Sequence, residues 1–306
     1  MLIVEQERRE PTEINVGSVV YAVKFSTNSE HLVSGGGGGV QVWRVEDGKR
    51  TATMETNGTV CCLAVSKDGR WIAAGTGLGE VLVWDIATHE QVFKDEEDLG
   101  DINGVDFSPD SSRLVSVSDN KTASIWDIAT RNRVQTLHHD SQIVSAKYSP
   151  QGDRIATATG DSVYIYDSSD GRLIVDIKAK VLPYFNAGVV WFNNYLLVLS
   201  DSKIVQVEVS TGSLVGEWPI PDTNFHSCIA LPKHGEFVAY STNRTVSFWN
   251  MATRIQLGHI QHPQDIWSIA VSPNDQLIAV GGQDGKIIIE SLSHIIVSPV
   301  RCWFTT

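Results

Sequence analysis

Residues 102–137 read INGVDFSPDSSRLVSVSDNKTASIWDIATRNRVQTL. Four short apolar stretches alternate here with turn-forming residues. Ile102-Asn103-Gly104-Val105-Asp106-Phe107 alternates loosely, as a strand does, and Ser108-Pro109-Asp110-Ser111 is turn chemistry. Arg113-Leu114-Val115-Ser116-Val117-Ser118 forms a second strand, ended by Asp119-Asn120-Lys121. Thr122-Ala123-Ser124-Ile125-Trp126-Asp127 forms a third, apolar enough to be buried on both faces. After Ala129-Thr130, Arg133-Val134-Gln135-Thr136-Leu137 forms a fourth.

The same stretch recurs along the chain. Third-strand ends stand at Val42-Trp43, Val83-Trp84, Ile125-Trp126, Ile165-Tyr166, Gln206-Val207 and Phe248-Trp249, in steps of 40 to 42 residues. One further step lands on Glu290, after Lys286-Ile287-Ile288-Ile289. A second landmark keeps the same period: Phe25-Ser26, Val65-Ser66, Phe107-Ser108, Tyr148-Ser149, Phe192-Asn193, Leu231-Pro232 and Val271-Ser272. Helical spacing is not sustained over three turns anywhere. Seven copies of a four-stranded unit predict an all-β, seven-bladed β-propeller with four antiparallel strands per blade. The repeats divide a single domain, 1–306, into blades at about 19–55, 59–95, 101–138, 142–178, 187–220, 225–261 and 265–300. Residues 1–18 form an N-terminal strand or lead-in.

The pattern resembles the WD-repeat family of β-propellers. The naming dipeptide stands as Trp84-Asp85 and Trp126-Asp127, with near matches at Trp43-Arg44, Tyr166-Asp167, Val207-Glu208 and Trp249-Asn250; the seventh copy reads Glu290-Ser291. Ser108-Pro109-Asp110, Ser66-Lys67-Asp68-Gly69 and Ser272-Pro273-Asn274 match the family's first hairpin turn. The resemblance covers residues 19–300. It also implies a buried relay in each blade, linking a histidine, a Ser or Thr, a turn aspartate and the tryptophan. That relay is eroded. His139 and His262 hold the histidine position, where other copies have Thr56 and Asp98. Asp201 and Asp284 hold the turn position, where others have Gly37, Leu78, Asn120 and Asn243. The glycosylation-like triplets at Asn120 and Asn243 follow from Asn replacing that aspartate. For ring closure, Leu2-Ile3-Val4-Glu5 competes with His294-Ile295-Ile296-Val297-Ser298-Pro299, and the N-terminal run is favoured slightly.

Composition narrows the function. The chain has 306 residues, 36 acidic against 24 basic side chains and a formal net charge of −12. An acidic field disfavours a nucleic-acid or anionic-membrane partner. Four cysteines, with Cys61 and Cys62 adjacent and no CxxC, point to buried thiols rather than a disulfide framework or zinc site. No apolar run approaches a membrane span or a signal peptide, so an intracellular location, cytoplasmic or nuclear, is expected. The nine histidines form no HExxH or HxxxH pattern, and no GxSxG occurs. Gly35 to Gly39 lacks the Lys-Ser/Thr of a phosphate loop and reads as a turn.

No catalytic, cofactor-binding or metal-ligating residue is therefore expected. The expected role is a non-catalytic scaffold, monomeric alone, that binds a protein or peptide bearing basic and apolar residues. The candidate face carries the first-strand lead-in loops. It holds the acidic residues Asp95, Glu96, Glu97, Asp98 and Asp101, the aromatics Tyr184, Phe185 and Phe225, and Tyr21, Asn103 and Trp267 at the channel mouth. Two alternatives remain: a small-molecule or metal-dependent enzyme using the central channel, and a reader of basic chromatin tails.

Overall fold

The computed structural model describes residues 10–95, 100–179, 181, 188–200, 202–220 and 227–294. Its strands form seven four-stranded antiparallel sheets. The first six blades run in chain order. They are β2–β5 (Val20–Phe25, His31–Gly36, Gly39–Arg44, Arg50–Met54), β6–β9 (Val60–Val65, Trp71–Thr76, Val81–Asp85, Gln91–Asp95) and β10–β13 (Ile102–Phe107, Arg113–Ser118, Thr122–Asp127, Asn132–His138), followed by β14–β17 (Ile143–Tyr148, Arg154–Thr159, Ser162–Asp167, Leu173–Lys178), β18–β21 (Val189–Phe192, Tyr195–Ser200, Lys203–Glu208, Ser213–Pro219) and β22–β25 (Ile229–Ala230, Phe237–Thr242, Thr245–Asn250, Gln256–Gln261). The seventh joins the two ends of the chain: β26–β28 (Ile266–Val271, Leu277–Gly282, Lys286–Ser291) are completed by β1 (Thr12–Asn15). The protein is a seven-bladed, all-β propeller.

An N-terminal strand thus closes the ring, pairing Thr12 with Ile289 and Ile14 with Ile287. It lies further along the chain than the apolar run Leu2–Glu5, which is outside the described residues, as are Ile295–Pro299. A fully apolar strand is not needed there. The position is outermost, and only Ile14 turns inward, 2% exposed, into a cluster shared by the first and seventh blades. The other three residues face solvent in part or fully, so Thr, Glu and Asn suit them.

The turn landmark recurs because four of the copies build the same hydrogen-bonded knot. Ser108 Oγ donates to Asp110 Oδ1 (2.5 Å) and accepts from Arg113 N (2.9 Å), while Ser112 N donates to Asp110 Oδ1 (3.1 Å). Ser26 with Asn28, Ser66 with Asp68 and Ser272 with Asn274 repeat it. The knot places one residue in the left-handed region; Gly69 fits that without strain (φ 74°). The glycine run is more constrained than a mere turn: a Cβ on Gly36 would lie 2.1 Å from Val19 O.

The relay survives in parts. Trp43 Nε1 donates to Ser34 Oγ and Trp126 Nε1 to Ser116 Oγ, both at 2.8 Å. In the fourth blade His139 Nε2 lies 2.8 Å from Thr157 Oγ1 and 3.1 Å from Tyr166 Oη, so tyrosine takes the tryptophan's place. Burial pushes the His139 imidazole down to about 4. Asn120 Oδ1 accepts from Thr122 N at 2.9 Å, a local cap that explains the Asn-x-Thr spelling.

Candidate partner-binding face

The start of each first strand and the turn between second and third strands meet on one face of the ring. Backbone bonds tie them together: Gly77 N to Thr59 O, Asp119 N to Asp101 O, and Gln283 N to Asp265 O. Among the described residues, five first strands carry a bulge there. The pairing register jumps between Val20 and Ala22, Val60 and Cys62, Ile102 and Gly104, Ile143 and Ser145, and Ile266 and Ser268. The skipped residues are Tyr21, Cys61, Asn103, Val144 and Trp267. A bulge releases one side chain from strict alternation and re-aims it. Of the five, Tyr21 and Trp267 stay partly exposed, whereas Cys61, Asn103 and Val144 are buried and Val144 packs in the core shared by the fourth and fifth blades.

Tyr21 and Trp267 meet directly. Their ring centroids lie 4.8 Å apart at 76°, an edge-to-face contact joining the first and seventh blades, and both rings remain partly exposed. The platform beneath is stitched by Val23 N donating to Ser268 Oγ (3.1 Å) and Cys228 Sγ donating to Trp267 O (3.0 Å). Arg244 and Asp265 pair nearby at 3.6 Å, on the same face of the sixth and seventh blades.

Asn103 is placed differently. It is 5% exposed, and its amide donates to Asp119 Oδ1 (2.7 Å) and to Ile143 O (2.9 Å), linking the third blade to the fourth. Its side chain is committed within the ring and positions Asp119. Burial and the neighbouring Asp119 carboxylate raise the Asp101 carboxyl above its ordinary value. Burial, followed by the charges of Asp101 and Asp119, pushes the Cys61 thiol up to about 12. The mouth at the second and third blades is thus electronegative, and Cys61 stays protonated. Asp95 ends β9, partly buried. Glu96, Glu97, Asp98, Tyr184, Phe185 and Phe225 lie outside the described residues.

Three residues near this face escaped the sequence reading. Cys61 and Val144 share the bulge position, but an apolar residue in an apolar strand carries no signal of being re-aimed. Leu78, in the β7–β8 turn, is 65% exposed on this face. It had registered only as a replacement for the turn aspartate. Among the described residues no group of three or more His, Cys, Asp and Glu could hold a metal ion, and no helix is long and apolar enough to cross a membrane.

The chain is similar to several curated proteins. It is 22% identical over 302 residues to the transcription factor unc-37 of Caenorhabditis elegans, covering 92% of this chain and 48% of that protein. It is 24% identical over 245 residues to the U3 small nucleolar RNA-associated protein 15 homolog of Xenopus laevis, 76% of this chain and 46% of the other. Chicken WD repeat-containing protein 1 is 26% identical over 237 residues, 73% of this chain and 37% of its own. The chain spans less than half the length of each of these relatives. The family profile of the IFT122 first β-propeller matches residues 19–291, all of the seven blades but the closing strand β1. By that match and by its seven blades, this chain belongs to the IFT122 first β-propeller family, among the WD-repeat propellers.

Proposed function

We propose that the propeller is a non-catalytic scaffold whose lead-in face binds a protein or peptide segment carrying an apolar anchor and basic residues. The observation that carries this reading is the partly exposed Tyr21–Trp267 pair at the channel mouth. Paired aromatics in a rigid frame are good anchors, because two torsions per ring are already fixed and little ordering entropy is lost on binding. Exposed Leu78 adds a second apolar point, and Asp101 and Asp119 stand on the next blade beyond it, supplying charge that attracts Lys or Arg. The face is assembled from loops on hydrogen-bonded sheets, the usual arrangement for recognition on a rigid scaffold. Relatives described as a transcription factor and a corepressor are consistent with work in protein assemblies.

The test uses arrays of peptides that pair one aromatic or aliphatic residue with two or three basic ones, followed by affinity measurement on those retained. Trp267→Ala should weaken binding at least about tenfold, as loss of a central aromatic does. The combined Asp95→Lys, Glu96→Lys and Glu97→Lys variant should slow association and invert its salt dependence. If retained peptides bind both variants as tightly as the wild type, this face is not the docking surface.

A further inference from the structure

A second feature lies on the opposite face, where the first strands end in their turns. Consecutive turns are joined there through the residue that each holds in the left-handed region. Asp68 N donates to Ser111 Oγ (3.2 Å) across the second and third blades, and Lys233 N donates to Asp275 Oδ1 (2.7 Å) across the sixth and seventh. At two other junctions the left-handed residue is glycine and the turns touch. A Cβ on Gly69 would lie 2.6 Å from Thr27 Oγ1, and one on Gly152 would lie 3.2 Å from Pro109 Cδ.

The closing junction differs. Ser29 (φ 62°) is the counterpart of Ser111 (φ 61°), and Asn274 of the seventh blade holds the place of Asp68. The corresponding bond is not made: Ser29 is 7% exposed, and its buried hydroxyl has no hydrogen-bond partner. A cleft of about 650 Å³ opens there between the first and seventh blades, lined by Ser29, Glu30, His31, Glu46, Asn274 and Gln276. That volume falls in the roughly 300–1,000 Å³ range of ligand pockets.

The chemistry of the walls selects a cation. Glu30 and Glu46 supply carboxylates, while the Arg44 guanidinium on the same wall is drawn aside to Asp47 at 3.2 Å. Asn28 Nδ2 donates to Glu30 Oε2 (2.8 Å), which holds that carboxylate in place without neutralising it. A buried hydroxyl without a partner is costly, and a donor from outside removes the cost. A cleft with carboxylates on low-dielectric walls also concentrates cations. We propose that this seam cleft binds a lysine or arginine side chain of a partner peptide, with Glu30 as its counter-charge and Ser29 Oγ as a further acceptor. The site lies across the ring from Tyr21 and Trp267 and does not depend on the docking face.

The probes are the end-blocked peptides Gly-Lys-Gly, Gly-Arg-Gly and Gly-Gln-Gly, titrated at equal ionic strength into isotope-labelled protein and followed by NMR. The lysine or arginine peptide should saturably shift the backbone amides of Asn28–His31 and the side-chain amides of Asn274 and Gln276. The glutamine peptide should leave them in place. A response to one cation alone distinguishes an ammonium from a guanidinium site. Glu30→Gln and Ser29→Gly should each weaken binding about tenfold, the loss expected for one hydrogen bond to a charged group. Ser29→Gly introduces the residue that Gly69, Gly152 and Gly235 supply at the same turn position, so this variant keeps its fold. Shifts confined to Tyr21 and Trp267 would put the peptides on the other face and overturn the proposal. Equal shifts with the glutamine peptide, no saturable shift with any peptide, or undiminished affinity in Glu30→Gln and Ser29→Gly would overturn it too.

Discussion

Ile14→Ala tests how the ring is held shut. Ile14 is the one fully buried side chain of β1 and packs in a cluster with Val20, Phe25, Trp43 and Ile287, across the junction of the first and seventh blades. Truncation removes three carbons, about 2.4 kcal/mol of transfer free energy at ~0.8 kcal/mol per methylene. The cavity left behind brings the expected loss to about 2–5 kcal/mol. The remaining holds on β1 are weaker. The Glu13–Lys286 ion pair is solvent-exposed and screened by water, so it adds little. The paired backbone and the Val16 N to Gly285 O bond (2.8 Å) lie on a sheet edge open to water. Leu137→Ala is the control. Leu137 is 6% exposed in the corresponding outer strand of the third blade, whose four strands follow one another along the chain. Urea unfolding should show comparable losses for both variants. Amide hydrogen exchange should separate them: Ile14→Ala should expose the amides of Thr12–Asn15 and their partners on β28, while Leu137→Ala should leave those protected. A loss below about 1 kcal/mol for Ile14→Ala, with unchanged exchange across the seam, would refute the view that this side chain fastens the ring.

Two further outcomes follow from the buried relay. Ser116→Ala removes the acceptor of Trp126 Nε1 in a site where the indole is 3% exposed. The stranded donor should cost about 1–3 kcal/mol, read as a lower urea midpoint at unchanged slope. For His139, the folded imidazole titrates near 4 instead of the ordinary 6.5, because burial disfavours its charged form. The unfolded chain therefore takes up the proton first, and stability contributed by the neutral ring is lost as pH falls from about 6.5 to about 4. His139→Gln should flatten that part of the stability–pH curve; a slope equal to the wild type would show that other groups govern it.

Local chemistry made the fold legible. The Ser-x-Asp turn, the apolar third strand and the Trp or Tyr at its end are decided within about ten residues of chain, so most copies spell some or all of them again. Ser108, Asp110 and Arg113 bond to one another wherever the ring places them. The closing strand was harder to read. Thr-Glu-Ile-Asn carries one inward side chain, and an outermost strand needs no more, so apolar content pointed instead to Leu2–Glu5. The bulges were also hidden, since Tyr21, Cys61, Asn103, Val144 and Trp267 share a position but no chemistry.

What the sequence determined by itself was the period, the four-stranded unit and its sevenfold count, because strand alternation and turn bonding are short-range. Only the tertiary structure decided which residues meet. Tyr21 and Trp267 come from opposite ends of the chain, and Val23 N reaches Ser268 Oγ across 245 residues. Lys147 on the fourth blade meets Asp106 on the third for the same reason. Closing the ring brings the inner strand of every blade to a common centre, a long-range condition that no single repeat encodes.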